Sequence, residues 1–147
     1  MSRACYSVID PAMKQFTRDP PRLVGFVVCE DLAVAAATGR VTLIGLFDVV
    51  VARHPAFVDG AIVAVFSDVR ESFDCTLRAR AYTSNESLGP RIDIADVRVD
   101  PPGIGSQAVE YVSGTIPLPL TGPGMAELMV YGNDKLLGTR PITVLSE

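Results

Sequence analysis

Two features of the chain have the residue types needed for covalent chemistry: a short thiol–carboxylate cluster and a histidine. Cys29-Glu30-Asp31 places a thiol beside two carboxylates, and His54 is the single histidine in the sequence. A thiol nucleophile needs a base, so a small hydrolase or thiol enzyme would use Cys29 with His54 and a carboxylate. Negative charge beside a thiol raises its pKa and opposes thiolate formation. We therefore expect Cys29 to be a packed strand residue and His54, which precedes Pro55, to lie in a loop.

Metal-ligating residues are not grouped in the sequence. The three cysteines, Cys5, Cys29 and Cys75, are far apart, whereas zinc sites usually contain close pairs. Calcium-binding sandwiches gather acidic side chains in loops at one end, but here the acidic residues are scattered. We expect no cofactor and no catalytic, cofactor-binding or metal residues. A C2-like calcium or lipid-binding module stays open as an alternative.

A pair of arginines lies on the polar side of one alternating segment. In the segment 73–82, Arg78 and Arg80 share one parity with polar residues, and apolar residues occupy the other. Such a stripe can dock an acidic partner, or it can be a solvated face paired with Asp74 and Asp93, which we expect. The candidates for a functional surface are then Cys29, Glu30, Asp31, His54, Arg78 and Arg80.

The elements that position these residues are predicted to be strands. Apolar runs and period-two alternation predict eight of them: 23–29, 41–52, 61–69, 73–82, 91–100, 108–116, 125–131 and 135–145. No long helical period separates them, so the chain is predicted to be all-β. We expect an antiparallel β-sandwich of about eight strands, immunoglobulin-like or C2-like.

The connections show turn chemistry at several positions. Asp59-Gly60 is a strong turn dipeptide, and residues 31–38 are expected to form a helical turn or a wide loop. The apolar parity changes near Ala95, which predicts a β-bulge. The last two strands are expected to form a hairpin across residues 132–134.

The first residues differ from the rest. Residues 1–22 are expected to form an N-terminal arm, with Val8, Met13 and Phe16 on one side of a short helix over 11–17 that Pro20-Pro21 would end. Residues 23–147 are expected to form the sandwich domain. No apolar stretch fits a signal peptide or membrane span, and the odd cysteine count fits a reducing cytoplasm.

Composition limits the classes of partner. Hydrophobic residues make up 48% of the 147 residues and the formal net charge is −4. The chain can therefore bury a core, but it lacks the basic face that nucleic-acid binding needs. We expect a non-enzymatic cytoplasmic module that binds a protein partner or its own copies, with no nucleic acid and no membrane. Strand edges and the segment 117–119 are the candidate surfaces.

One motif resembles a known family. The residues 27–31, Val-Val-Cys-Glu-Asp, are followed at 39–48 by Gly-Arg-Val-Thr-Leu-Ile-Gly-Leu-Phe-Asp and then by His54-Pro55. This pattern resembles a family of small bacterial single-domain β-sandwich proteins to which no activity is assigned. The resemblance covers about residues 23–145 and its opening motif is its specific part. It implies the sandwich fold and adds no catalytic residues.

Overall fold

A computed structural model describes residues 21–52, 57–82, 88–103 and 106–146. The expected arm helix, His54 and Cys5 lie outside these residues. The described ranges contain nine strands: β1 (Arg22–Val34), β2 (Val41–Leu46), β3 (Val49–Ala52), β4 (Phe57–Ser67), β5 (Phe73–Tyr82), β6 (Leu88–Val99), β7 (Ala108–Pro117), β8 (Gly124–Gly132) and β9 (Lys135–Ser146). No helix in these ranges has the length and hydrophobicity needed to cross a bilayer.

The strands form two sheets. One has the order β2-β1-β4-β7 and the other the order β3-β9-β8-β5-β6. Their facing sides share one hydrophobic cluster, in which Phe66 of β4 meets Phe73 of β5 edge to face at 5.1 Å between ring centres. The predicted all-β sandwich is therefore confirmed.

The segment 41–52, predicted as one strand, is in fact two strands in different sheets. The chain leaves the four-stranded sheet after Leu46, and Val49 then begins β3 in the five-stranded sheet. Phe47 packs against the shared core at this crossing. β3 pairs with β9 in parallel, whereas the other strand pairs in both sheets are antiparallel. The strand count is nine rather than eight for this reason.

Two predicted connections lie within strands. Residues 31–34 continue β1, where they pair with β2, so the loop begins only at Ala35. Asp59 and Gly60 lie inside β4 and do not form a turn. A Cβ at Gly60 would stand 2.5 Å from the backbone oxygen of Cys29, so this glycine permits a close approach of two backbones.

Two local predictions are confirmed, the β-bulge near Ala95 and the final hairpin. Val99 and Phe73 are paired, but the β5–β6 register shifts between Leu77 and Arg78, where Ile94 is the extra residue of a bulge. β8 and β9 form the final hairpin around Asn133 and Asp134.

Candidate functional site

Cys29 lies at the centre of the four-stranded sheet, on the side that faces away from the sandwich core. Val28, which precedes Cys29 in β1, pairs with Ile62 of β4, and both belong to the core cluster. Cys29 and its partner Ala61 therefore point to the other side of the sheet. Cys29 is 0% exposed and belongs to a second cluster with Ala61 and Val63. The thiol is therefore enclosed by apolar side chains.

This environment opposes a reactive thiolate. Burial raises the pKa of the Cys29 thiol, and the negative charge of Asp31 raises it further, while backbone hydrogen bonds with Ile44 and Asp31 act in the opposite direction. Reactive cysteines in enzymes have a lowered pKa and some exposure. The thiol of Cys29 has neither property.

The two carboxylates next to Cys29 are exposed, and only that of Asp31 is seen to accept a backbone hydrogen bond. Asp31 Oδ1 accepts a hydrogen bond of 2.8 Å from the backbone N–H of Leu32. A Cβ at Gly45 would stand 2.8 Å from Cδ and Oε1 of the Glu30 side chain. Gly45 also has a positive φ of 68°, so both space and backbone conformation favour glycine there. Gly45 is thus a point where the Glu30 side chain approaches the backbone closely.

Arg78 and Arg80 lie on the other sheet, on the outer side of β5, so the structure does not bring them together with Cys29. Arg78 Nε donates to Asp93 Oδ1 at 2.8 Å, and its guanidinium stands 4.7 Å from the centre of the Tyr131 ring. Arg80 donates to Glu127 Oε1 from Nε at 2.9 Å and from Nη2 at 2.7 Å.

Further pairs extend this pattern along the outer side of the five-stranded sheet. Arg98 donates to Asp74 at 2.9 Å, and the hydroxyl of Thr76 donates to Asp96 at 2.9 Å. The expected ion pairing is confirmed for Arg78, which pairs with Asp93, whereas Arg80 pairs with Glu127 and Asp74 with Arg98. Both arginines of the expected stripe are engaged within the sheet. We call this set of pairs the ion-pair ladder.

A shallow depression of about 380 Å³ lies at one end of the ion-pair ladder. It is lined by Asp74, Thr76, Asp96, Val97, Arg98, Asn133 and Asp134. Across the described part of the chain, no group of three or more histidine, cysteine or acidic residues is arranged to hold a metal ion. Two of its carboxylates, Asp74 and Asp96, accept from Arg98 and Thr76 respectively.

Four exposed apolar side chains lie on β2 and β3, which are consecutive in the chain and are edge strands of the two sheets. Ile44 and Leu46 on β2 are 47% and 61% exposed, and Val49 and Val51 on β3 are 50% and 63% exposed. We call these four residues the β2–β3 side. The expectation of a binding edge did not specify this edge, although the absence of charge over 41–47 and 49–52 was visible in the sequence.

The segment 117–119, the other expected surface, is partly exposed and partly buried. Pro117 is exposed at the end of the edge strand β7, and Leu118 is only 5% exposed and belongs to the core. The proline removes a backbone donor from the edge, which disfavours pairing with a further strand there.

Comparison with known proteins gives likeness of fold only. No family model and no curated protein matches the chain. Among solved structures, it is similar to an immunoglobulin-like protein from Pseudomonas aeruginosa, with 17% identity over 86% of this chain and 97% of that one, and a TM-score of 0.45. It is also similar to part of the alkylpurine DNA glycosylase AlkC of Pseudomonas fluorescens, solved bound to DNA containing an abasic site analogue. That match has 10% identity over 67% of this chain and 28% of that one, and a TM-score of 0.38. At these values neither protein carries an argument about activity.

Proposed function

We propose that this chain is a non-enzymatic protein-binding or self-assembling module that contacts its partner through the β2–β3 side. The observation that carries the proposal is that two consecutive edge strands, one in each sheet, contain no charged residue and expose four aliphatic side chains. Exposed aliphatic side chains on uncharged edge strands are typical of interaction sites.

The other two edges differ from the β2–β3 side in their chemistry. β6 carries Arg91, Asp93, Asp96 and Arg98, and charges on an edge strand discourage pairing with another chain. β7 carries Glu110 and ends in Pro117. Natural sheets protect their edges in these ways. β2 and β3, by contrast, are edge strands that contain no charged residue.

The kind of contact follows from the backbone of these strands. Gly45, with its positive φ, interrupts regular pairing along β2, and β3 is only four residues long. A partner strand therefore gains few ladder hydrogen bonds, and side-chain burial supplies most of the contact. Leu145 on the adjacent strand β9 and Met125 on the next strand β8, which are 47% and 41% exposed, extend the apolar surface from β3.

Two features support a non-enzymatic role. Cys29 is enclosed and its thiol pKa is raised, and Arg78 and Arg80 already have carboxylate partners. A thiol enzyme that uses Cys29 with His54, or a C2-like calcium or lipid module, draws no support from the described residues. The proposal includes the expected cytoplasmic location and the absence of nucleic-acid and membrane partners. The net charge of −4 supports the absence of a nucleic-acid partner.

The proposal is tested by placing a charge on the β2–β3 side. Leu46→Lys and Val51→Lys are compared with Leu136→Lys, a matched control on an exposed leucine (49%) at the β8–β9 hairpin. Sedimentation equilibrium measures self-association, and capture from the native lysate measures partner binding. We expect the two edge variants to weaken association at least about tenfold, because a lysine must then be desolvated, and the control to leave it unchanged. A wild-type chain that neither self-associates nor retains a partner, or equal effects of all three variants, would contradict the proposal.

A further inference from the structure

The hairpin formed by β1 and β2 extends beyond the rest of its sheet. Pairing of β1 with β4 reaches only Cys29, whereas pairing of β1 with β2 continues to Val34 and Val41. Among the described strands, residues 30–46 therefore form a ribbon of two strands. A pair of strands without further neighbours is only marginally stable in water. Because β2 is the end strand of the sheet, a further strand can be added along its outer edge.

The backbone groups available on that edge belong to Val41 and Leu43. The backbone oxygen of Arg40 accepts a hydrogen bond from the N–H of Ala35, so Arg40 and residues of the same parity in β2 direct their backbone groups towards β1. The residues of the other parity direct theirs outward. An added strand could therefore form a short ladder with β2.

The usable part of the edge is complementary to itself about Thr42. Gly45, with its positive φ, ends the regular backbone, so the stretch 40–44 is available and Thr42 is its centre. When a second copy pairs antiparallel about a two-fold axis at Thr42, Val41 of each copy lies opposite Leu43 of the other. The two threonines face each other, and both kinds of cross-strand pair are favourable. The ladder contains about four hydrogen bonds, so side-chain contacts supply the rest of the affinity.

The charges beside β2 fit the same register. Arg40 of one copy lies opposite Ile44 of the other, and Ile44 is paired on its far side with Asp31. The Cα atoms of Arg40 and Asp31 are then two strand spacings apart, about 10 Å, which the two side chains can span. Both residues are exposed, and within the described residues neither takes part in an ion pair. The two-fold axis creates this contact twice.

The tip of the hairpin reaches the remainder of the β2–β3 side. The three alanines at 35–37 are exposed and uncharged. In antiparallel pairing about Thr42, the tip of one copy runs past Leu46 of the other, at the point where that chain crosses to β3. Small apolar side chains at the tip can therefore cover the exposed leucine.

We propose that the partner of the β2–β3 side is a second copy of this chain, bound by antiparallel pairing of β2 with β2 about Thr42. This inference rests on the proposed function, because β2 belongs to the β2–β3 side. It adds the occupant, the register and an ion pair between Arg40 of one copy and Asp31 of the other.

Disulfide trapping in the full chain tests the register. Thr42→Cys is compared with Thr38→Cys, an exposed threonine of the same hairpin; both variants carry Cys5→Ser, and Cys29 and Cys75 are buried. At the axis the two Cα atoms would be about 4.5 Å apart, within the range of a disulfide, whereas the two copies of position 38 would be more than about 20 Å apart. We expect Thr42→Cys to form a covalent dimer at least about tenfold faster under mild oxidation, because paired thiols have a high effective concentration. Equal rates, or no dimer from Thr42→Cys, would overturn the pairing.

Charge reversal tests the ion pair. Sedimentation equilibrium gives the dimer affinity of Arg40→Glu, of Asp31→Arg and of the double variant. We expect each single reversal to weaken dimerisation about tenfold, since like charges then meet twice, and the double variant to regain most of the wild-type affinity. Lys135→Glu, which reverses an exposed cation at the β8–β9 hairpin, is the matched control and should leave the affinity unchanged. A double variant as weak as the single ones would refute the register.

Failure of this inference can be distinguished from failure of the proposed function. A wild-type chain that stays monomeric at about 100 µM, yet retains a different protein that Leu46→Lys and Val51→Lys release, would overturn the inference and leave the proposed function standing. A wild-type chain that neither dimerises nor retains a partner would overturn both.

Discussion

Removing Arg80 should cost far more stability than removing Arg98, although both arginines pair with a carboxylate on the same side of one sheet. The side chains of Arg80 and Glu127 are 27% and 9% exposed, whereas those of Arg98 and Asp74 are 62% and 72% exposed. The Arg80–Glu127 pair also has two donor nitrogens on one carboxylate oxygen. The two variants therefore compare a shielded pair with a solvated one on the same scaffold.

The two exposures set the expected magnitudes. Breaking a fully buried pair costs about 3–5 kcal/mol because a charge stays buried without its partner, and exposed pairs contribute about 0–1 kcal/mol. Since Arg80 is partly exposed, we expect Arg80→Ala to lower the free energy of unfolding by about 1–3 kcal/mol. We expect Arg98→Ala to lower it by less than about 1 kcal/mol.

Equilibrium unfolding in urea measures both values, with an unchanged slope against denaturant as the check that the same surface unfolds. Glu127→Gln, alone and combined with Arg80→Ala, completes a double-mutant cycle that isolates the coupling of the pair. If Arg80→Ala costs no more than Arg98→Ala, or if the cycle shows no coupling, burial does not decide the strength of these pairs and our reasoning is wrong.

Three further predictions concern glycine, carboxyl and thiol groups. Gly60→Ala should destabilise the fold by about 1–3 kcal/mol in urea unfolding, because its Cβ would meet the backbone oxygen of Cys29. Gly122→Ala, where no atom lies within 4 Å, should change stability by less than about 0.5 kcal/mol, and equal effects would contradict the close approach. Burial raises the pKa of Glu110, so its ionisation opposes folding and the stability it contributes is lost as pH rises through the folded pKa. Glu110→Gln should therefore raise the melting temperature at pH 7 but not at pH 3, and a lower melting temperature at pH 7 would refute this. Burial raises the pKa of Cys75 to about 11, so stability should fall between pH 9 and pH 11. Cys75→Ala should reduce that slope in urea titrations, and an unaltered slope would count against a raised pKa.

The strand pattern was predictable where one face of a strand meets the core. β5 alternates strictly, and Leu77 and Ala79 face the core while Arg78 and Arg80 face outward, as expected. The crossing after Leu46 was not predictable, because an apolar run looks the same whether it stays in one sheet or enters another. Asp59-Gly60 was predicted as a turn because local chemistry favours one, but the close approach of β1 decided the role of Gly60.

The surface was predictable only in part. Asp93 was expected as a partner for the arginines because its parity on a neighbouring strand was visible. Glu127 was not expected as a partner, because the pairing of β5 with β8 depends on the order of strands in the sheet. Cys29 was expected to be packed, yet its position on the outward side required the register between Val28 and Ile62. His54 stays a prediction.

The parallel pairing of β3 with β9 also affects how the chain folds as it is synthesised. It joins residues near 50 to residues near 144, and β9 is the last of the nine strands to leave the ribosome. Until β9 is inserted, β3 has no neighbour in its sheet, and the β8 edge is open as well. Pairing between distant segments is slow because a long loop must close first. β3 therefore stays unpaired from its synthesis until β9 emerges, and the β8 edge is open only for the short interval before β9 is inserted. We expect chaperone binding to affect the yield most while β3 is unpaired.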